Sequence, residues 1–586
     1  MKYTRILIQD TEAPYDSGFS RGMMGLLHGG YVRDIGRGLF AFMPMGLRVV
    51  KHIEEIIRDE FQGLDGEEIL LPLVTPAGLW SETGRDVVAS EELTYLLDRS
   101  DNSLVLAPSH EEALLALIRQ VITDPEQLPR FLYQIQLKFR DEDGSHPGSG
   151  LVRGREFIMG DGFSIHPSYA GLNNFFPRVF AAFHRIFRRC GIAVFVAEGA
   201  ANFLGGAGSY EFLMPFRGGE HRVVICQSCH YAANQDVAVG LFKNRTGKLL
   251  ALEPVQHTGD ACLDELHRSL GVPRYRLTRC QVFLTMGGFA MAVLRGDQMV
   301  SLDKLSRVLD EPVIREATQD ELFELGLKPG YLSPLGLSEE IKTAAGLRTV
   351  ADSVMADSTN LVIGGNEDGK LWVNSNFGRD YSTDLVGDIA RVDESCRCYH
   401  CGGELRIEKV TKLAHLIRLG SRFSRRMEFS LPNPRGGLIY PHLGSYGIGI
   451  GRLMASIAEA NTDTRGLLWP LGIAPFKAYF VVVGRGHTIQ QIAGHVYTRV
   501  QDVVLYDDRK IPVLKKFKDA QRLGIPILLV LSAASLQDGC VMLGHRRLCP
   551  ATRVPFHQIP KKIEELMELE EEMRQQHAGE INQRTT

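Results

Sequence analysis

Four side chains in two distant stretches have the chemistry to handle a charged phosphate ester. Arg140 and Glu142 stand two apart in Phe139-Arg140-Asp141-Glu142, so on a strand they share a face. They offer a guanidinium for a phosphate and a carboxylate for an amino proton. Phe157, in Arg153-Gly154-Arg155-Glu156-Phe157, adds an aromatic surface. Arg452 ends Gly444-Ser445-Tyr446-Gly447-Ile448-Gly449-Ile450-Gly451-Arg452, where alternate glycines let the backbone approach a ligand closely.

The flanking patterns say what positions these groups. From Leu132 to Glu142 the chain alternates, with Tyr133, Ile135, Leu137 and Phe139 on one face and Gln134, Gln136, Lys138, Arg140 and Glu142 on the other. After a loop from Asp143 to Gly150, Arg153, Arg155 and Phe157 share a face by the same period, which predicts an antiparallel hairpin. Val50, Ile53, Ile57 and Phe61 recur at helical spacing between Met45 and Phe61. Glu68 to Val74 reads as an edge strand interrupted by Pro72. Leu453, Met454 and Ile457 continue at helical spacing, so Arg452 is expected near a helix start.

Two Cys-x-x-Cys pairs, Cys226/Cys229 and Cys398/Cys401, bracket a long middle segment with strand signals at Phe289–Leu294 and Asn360–Ile363. Four thiolates suit tetrahedral Zn2+, with Cys396 as a substitute ligand; unrelated reduced thiols are the alternative. Cys190, Cys262, Cys280, Cys540 and Cys549 show no pairing pattern, as in a reducing compartment.

A chain of 586 residues needs roughly three or four hydrophobic cores. Its 44% hydrophobic and 23% charged content excludes disorder, and no apolar run reaches the roughly 18 residues of a membrane span. The early polar N-terminus, with Asp10 and Glu12, is unlike a signal or transit peptide, so a cytoplasmic protein is expected. A net charge of -4 neither announces nor excludes a nucleic-acid partner.

Together, the Met45–Phe61 helix with Pro72, the Phe-Arg-x-Glu hairpin and the glycine-rich segment ending at Arg452 resemble the three signature motifs of class II aminoacyl-tRNA synthetases. Finer matches resemble the bacterial-type prolyl-tRNA synthetase family. They include Leu79-Trp80-Ser81-Glu82-Thr83-Gly84-Arg85, Ala107-Pro108-Ser109-His110-Glu111-Glu112, Tyr231-Ala232-Ala233-Asn234 and Arg465-Gly466-Leu467-Leu468-Trp469-Pro470. The resemblance implies an α+β and α/β multidomain homodimer that uses ATP, Mg2+, L-proline and tRNA(Pro). The divisions expected are a catalytic domain over 1–222 and 405–474, an inserted editing-like domain over 223–404, an anticodon-binding-like α/β domain over 475–558, and a charged helical tail over 559–586.

By that resemblance Arg140 holds the α-phosphate while the amino-acid carboxylate attacks it, Glu142 and Phe157 seat adenine, Arg153 borders the nucleotide, and Arg452 meets the γ-phosphate. Ser109, Glu111, Arg140, His415 and Ser445 surround proline. In the inserted domain Lys304, Asp357 and the loop from Gly330 to Pro334 match editing positions. Lys510, Lys515, Lys516 and Lys518 are candidate tRNA contacts, a solvated helix face being the alternative.

Departures from the family pattern are specific. Ser109 replaces threonine, Ile417 and Arg418 replace Phe and Gln, Ser445 replaces a frequent cysteine, and Leu371 stands where a histidine is common. The loop from Asp143 to Gly150 lacks the arginines that face the tRNA acceptor end in relatives. A paralogue that adenylates proline or an analogue for another acceptor is therefore a second expectation, and a non-catalytic regulator a third.

Overall fold

The computed structural model describes residues 1–8, 18–88, 93–141, 150–200, 208–258, 262–434 and 436–583. Glu142 and the expected loop from Asp143 to Ser149 lie outside the described residues.

Nine strands make the central sheet: β1 (Glu67–Glu68), β2 (Arg130–Phe139), β3 (Glu156–His166), β4 (Phe195–Glu198), β5 (Ser209–Pro215), β6 (His221–Cys226), β7 (Ala232–Asn234), β8 (Leu405–Gly420) and β9 (His442–Gly449). Their order is β5-β4-β7-β6-β8-β9-β3-β2-β1, with β5 also paired to β8. All pairings are antiparallel except β1 on β2 and β7 on β4. Three helices close one face: α1 (Pro44–Gln62), α3 (Tyr169–Cys190) and α4 (Ile450–Ala460); α2 (Glu111–Val121) packs at the end of the other.

The alternation in β2 explains this layering. Phe131 and Tyr133 lie on the ring of Phe61 at 5.5 and 5.4 Å, edge to face. Val50, Ile53, Ile57 and Phe61 of α1 are fully buried beneath the sheet, each contributing about 1.5–3 kcal/mol. Pro44 starts α1 at the one helical position where its missing N–H costs nothing. Ser168 caps α3, and Gly191 ends it in the left-handed conformation at φ 77°. The opposite face is left to Gln134, Gln136, Lys138 and Arg140.

Several boundaries differ from the sequence expectation. Between Glu68 and Val74 no ladder forms: β1 stops at Glu68, and Val74–Pro76 joins a separate sheet with Thr94–Leu97 and Ser103–Leu106. Pro72 falls in the gap, where no N–H is needed. Arg153 is in a 3-10 turn over Gly150–Arg153, one turn before β3 begins, so it does not share a strand face with Phe157. The edge expected between 222 and 223 falls inside β6, which pairs with β8 along its length, and β7 is also core sheet.

The inserted lobe follows β7 and, among the described residues, carries two larger sheets besides the short pair Gly240–Leu241 and Arg397–Cys398. One has five strands in the order Val313–Glu316, Thr278–Thr285, Gly288–Arg295, Arg348–Asp352 and Leu385–Gly387; the other has three, Glu253–Gln256, Lys370–Ser375 and Leu361–Gly364. The C-terminal unit is α/β, with β10 (Ala478–Val483), β11 (Val504–Tyr506), β12 (Ile527–Ser532), β13 (Cys540–His545) and β14 (Cys549–Pro555) in the order β11-β10-β12-β13-β14. The tail, expected as a separate piece from 559, is helix Ile559–Gln583, whose Ile559, Ile563 and Leu566 are buried in the core of this unit. No helix among the described residues is long and apolar enough to cross a membrane.

Candidate active site

Strand register brings distant polar residues into one row. Glu211 of β5 pairs with His415 of β8, His415 with Gly447 of β9, Gly447 with Asp161 of β3, and Asp161 with Gln134 of β2. Directly paired residues project to the same face, so these groups meet on the side away from α1 and α3. Gly447 has a steric reason: a Cβ there would lie 2.1 Å from Met159 Cε and 2.7 Å from His415 Cε1. The glycine makes room for the imidazole.

Beside this row is a buried charge network. Glu111, at the start of α2 and 3% exposed, accepts a hydrogen bond on Oε1 from Ser445 Oγ at 2.9 Å. Its Oε2 has no hydrogen-bond donor in place, the Arg85 guanidinium standing 3.6 Å away. Arg85 itself spans Glu112, at 2.8 Å to both oxygens, and Ser109 Oγ at 2.8 Å, while Thr83 donates to Glu112 at 2.9 Å. Burial works against the Glu111 charge, but Arg85 and Lys138, with hydrogen bonds from Ser109 and Ser445, outweigh it and hold the carboxyl at about 2. Lys138 is in turn paired with Asp161 at 2.8 Å.

The nucleotide-like half is assembled at the far end of β2. Arg140 N donates to Arg155 O at 2.9 Å, and the Arg140 guanidinium lies 5.4 Å from the centre of the Phe157 ring. Arg452 is the third residue of α4; its Nε donates to Val152 O at 2.8 Å and its Nη1 to Lys412 O at 2.9 Å. Arg153 is ion-paired with Glu220, and Arg155 covers Phe139 rather than Phe157. Ser109, Glu111 and Ser445 are thus linked, and Arg140 joins Phe157. Arg85, Glu112, Lys138 and Glu211 are site residues that pattern reading did not assign; the acidic pair at the head of an apolar helix was the one available signal for Glu112.

Burial pushes His415 down to about 3, with Lys412 adding to the effect, and holds His110, His166 and His221 at about 4. Each therefore stays neutral in the folded chain while the unfolded form protonates near 6.5. Because the unfolded state binds more protons below 6.5, stability is full above that pH and falls as pH drops toward 4. The melting temperature is expected to decrease steadily from pH 6.5 to 4; a flat profile over that window contradicts the burial of neutral imidazoles.

Residues 92–461 match the tRNA synthetase class II core domain (G, H, P, S and T), and residues 477–566 match an anticodon binding domain. Over 572 residues the chain is 34% identical to a proline--tRNA ligase of Dehalococcoides mccartyi, covering 96% of this chain and 98% of the relative. A proline--tRNA ligase of Pelotomaculum thermopropionicum is 34% identical over 92% of this chain and 95% of its own length, and one of Salinispora tropica 33% identical over 93% and 92%. The chain belongs to the proline–tRNA ligase family of class II synthetases. The nine-stranded sheet is its class II core, and the Ala478–Pro555 sheet its anticodon-binding unit.

In this member of the family the two cysteine pairs converge. Cys226 and Cys401 Sγ are 3.5 Å apart, Cys229 and Cys398 Sγ 3.6 Å, and all four lie within 4.8 Å of one another. Metal–thiolate bonds of about 2.3 Å in a tetrahedron give edges of about 3.8 Å, so the set fits Zn2+. The residues after each pair, His230 at φ 59° and Gly402 at φ 72°, take the left-handed conformation that folds the knuckle, and Ser228 and Cys229 N–H donate to Cys226 Sγ at 3.4 and 3.5 Å. Cys396 is outside the set; its buried thiol turns to Asp393 at 3.8 Å.

The editing-like residues sit in different surroundings. Lys304 is buried and bound by Asp388 at 2.8 Å and Ala390 O at 2.7 Å, Asp357 is exposed, and Pro334 is buried. Gly330 lines a cavity of about 380 Å³ with Leu371, Thr278, Arg279 and Gln281. Among the candidate tRNA contacts, Lys510, Lys515 and Lys518 are exposed, but Lys516 is not available: it is 6% exposed, and its Nζ donates to Asp507 O at 2.8 Å. Helix Val513–Arg522 turns that position inward, together with Asp519 and Ala520.

Proposed function

We propose that the chain activates L-proline with ATP and transfers it to the 3′ end of tRNA(Pro), in the cytoplasm and as a homodimer. The observation that carries the amino-acid half is Glu111, a buried carboxylate with one oxygen oriented by Ser445 and the other lacking a hydrogen-bond donor beside the Arg85 guanidinium at 3.6 Å. A protonated pyrrolidine nitrogen suits that acceptor, with Ser109 and His415 as neighbours. Arg140 holds the α-phosphate, and Phe157 stacks on adenine, beside which the family pattern sets Glu142. Arg452, with Arg153 nearby, faces the terminal phosphates. A carboxylate oxygen of proline bonds to the α-phosphorus, the bridging P–O bond breaks, and pyrophosphate leaves with the electron pair. No proton transfer is required, so electrostatic stabilisation is the protein's main task.

Mg2+ is expected to arrive on the nucleotide. The described carboxylates on this face are already matched by cations, Glu111 by Arg85, Asp161 by Lys138 and Glu211 by Lys412, and offer no open cage for it. Support for a dimer comes from exposed Leu70, just after β1, and Leu137 of β2, and from exposed Val74, Tyr95 and Leu97 of the separate small sheet. Pyrophosphate exchange with each amino acid singly tests the activation step: proline alone should support it. A second reading, adenylation of proline or an analogue for another acceptor, draws on the arginine-poor segment 143–150.

Zn2+ in the Cys226, Cys229, Cys398 and Cys401 set would pin both crossings into the inserted lobe to the core sheet. About one zinc per chain is expected, and its removal by a strong chelator should lower the melting temperature by several degrees. Purified chain without tightly bound metal would dismiss the site. The cavity beside Gly330 is the candidate remnant of an editing pocket. Leu371 there is buried, with no atom to bind a polar group or orient water, so Ala-tRNA(Pro) should be deacylated little faster than in buffer; brisk hydrolysis contradicts this.

A further inference from the structure

β8 carries one irregularity where it crosses β5. Ala414 pairs with Phe212, yet the next β5 residue, Leu213, pairs with Lys412, which leaves Leu413 as an extra residue. Such a bulge breaks the alternation of faces and re-aims a side chain. Leu413 stays with Ala414 and Leu416 in the core under the helices. Lys412 is thereby turned to the opposite face, the one shared by Glu211 and His415.

Its surroundings mark it as more than a solvated cation. Lys412 Nζ lies 3.2 Å from Glu211 Oε1, with side-chain exposures of 16% and 1%. Glu211 Oε2 accepts from Asn234 Nδ2 at 3.3 Å, so the carboxylate is fixed from both sides. The Lys412 carbonyl is the acceptor for Arg452 Nη1. An ammonium has three donors, of which Glu211 takes one. The lysine therefore stands between the His415 row and Arg452, with donors left for a ligand.

We propose that Lys412 is a further cation for the triphosphate, contacting the pyrophosphate end beside Arg452 and balancing the charge that grows there as the α–β bond breaks. The role rests on the reading of the site as an ATP-dependent proline-activating centre. It fits a face whose carboxylates are already matched by side-chain cations, since a fixed ammonium can then do part of what a protein-held metal would do. The covalent change is the one given above: the proline carboxylate gains a bond to phosphorus, pyrophosphate takes the electron pair, and Lys412 neither gives nor receives a proton.

The test is proline-dependent pyrophosphate exchange by the full chain, with ATP, proline and Mg2+ varied in turn. Lys412→Gln keeps a donor for Glu211 and so protects the fold, and Glu211→Gln/Lys412→Met removes both members of the pair without leaving a buried charge. In both variants the KM for ATP is expected to rise about tenfold or more, with kcat lowered and the KM for proline within about twofold of the parent. The Mg2+ concentration for half-maximal rate should also rise, and Lys412→Arg should recover most of the loss. If the ATP dependence is unchanged in the folded double variant, or if the proline KM alone moves, the role is overturned. A parent chain without proline-dependent exchange would instead strike the underlying reading.

Discussion

Arg140→Ala is expected to lower proline-dependent pyrophosphate exchange by about 10²–10³-fold while leaving the melting temperature nearly unchanged. The separation of the two effects follows from where the residue sits. Its neighbour Phe139 ends β2, and the backbone N–H of Arg140 holds Arg155 O, a contact that alanine retains. The guanidinium lies over Phe157 on the polar face, away from the aromatic core around Phe61, so truncation opens no cavity there. What is lost is a planar, permanently charged group, the one proposed to hold the phosphate under attack. Lysine should restore little, because a point charge cannot reproduce the fork that grips two phosphate oxygens. Near-parental exchange by Arg140→Ala would remove this side chain from the chemistry.

Glu111→Gln is expected to reduce kcat/KM for proline by about 10²-fold, mostly through KM, with the KM for ATP little changed. Glutamine keeps the length of the side chain and an oxygen for Ser445, so the packing at the head of α2 survives. Arg85 remains held by both oxygens of Glu112 and by Ser109, so the fold does not depend on the charge of Glu111 alone. The missing charge is the one proposed to face the ring nitrogen. Because Arg85 and Lys138 keep Glu111 ionised down to about 2, proline binding should not weaken from this group between pH 8 and pH 5. A variant that loses ATP affinity as much as proline affinity would show that Glu111 shapes the whole site rather than the amino-acid pocket.

The elements that hold the site were legible because they repeat. Alternation from Leu132 to Phe139 and the 3.6-residue spacing from Val50 to Phe61 are local signals, and both elements form as the patterns require. The four cysteines were legible as pairs, although 169 residues separate Cys229 from Cys398. Turn geometry was less so: Arg153 continues the period of β3 in sequence but is drawn into a 3-10 turn by its loop and pairs with Glu220. Lys516 looked like one of a basic cluster, but the pitch of its helix sends it to Asp507. Arg85 and Glu112 are 27 residues apart with no periodic relation, and only the packing of their helices makes a buried ion pair. The Leu413 bulge that turns Lys412 leaves no mark in sequence, since it depends on how β5 and β8 align.

Charging of transcribed tRNA(Pro) with radiolabelled proline tests the central claim most directly, with exchange measured in the same preparation. The expected result is that both proceed, ATP-dependent and specific for proline, with label on the tRNA 3′ end. Robust proline-dependent exchange without any charged tRNA would contradict it and leave a proline-adenylating enzyme with a different acceptor.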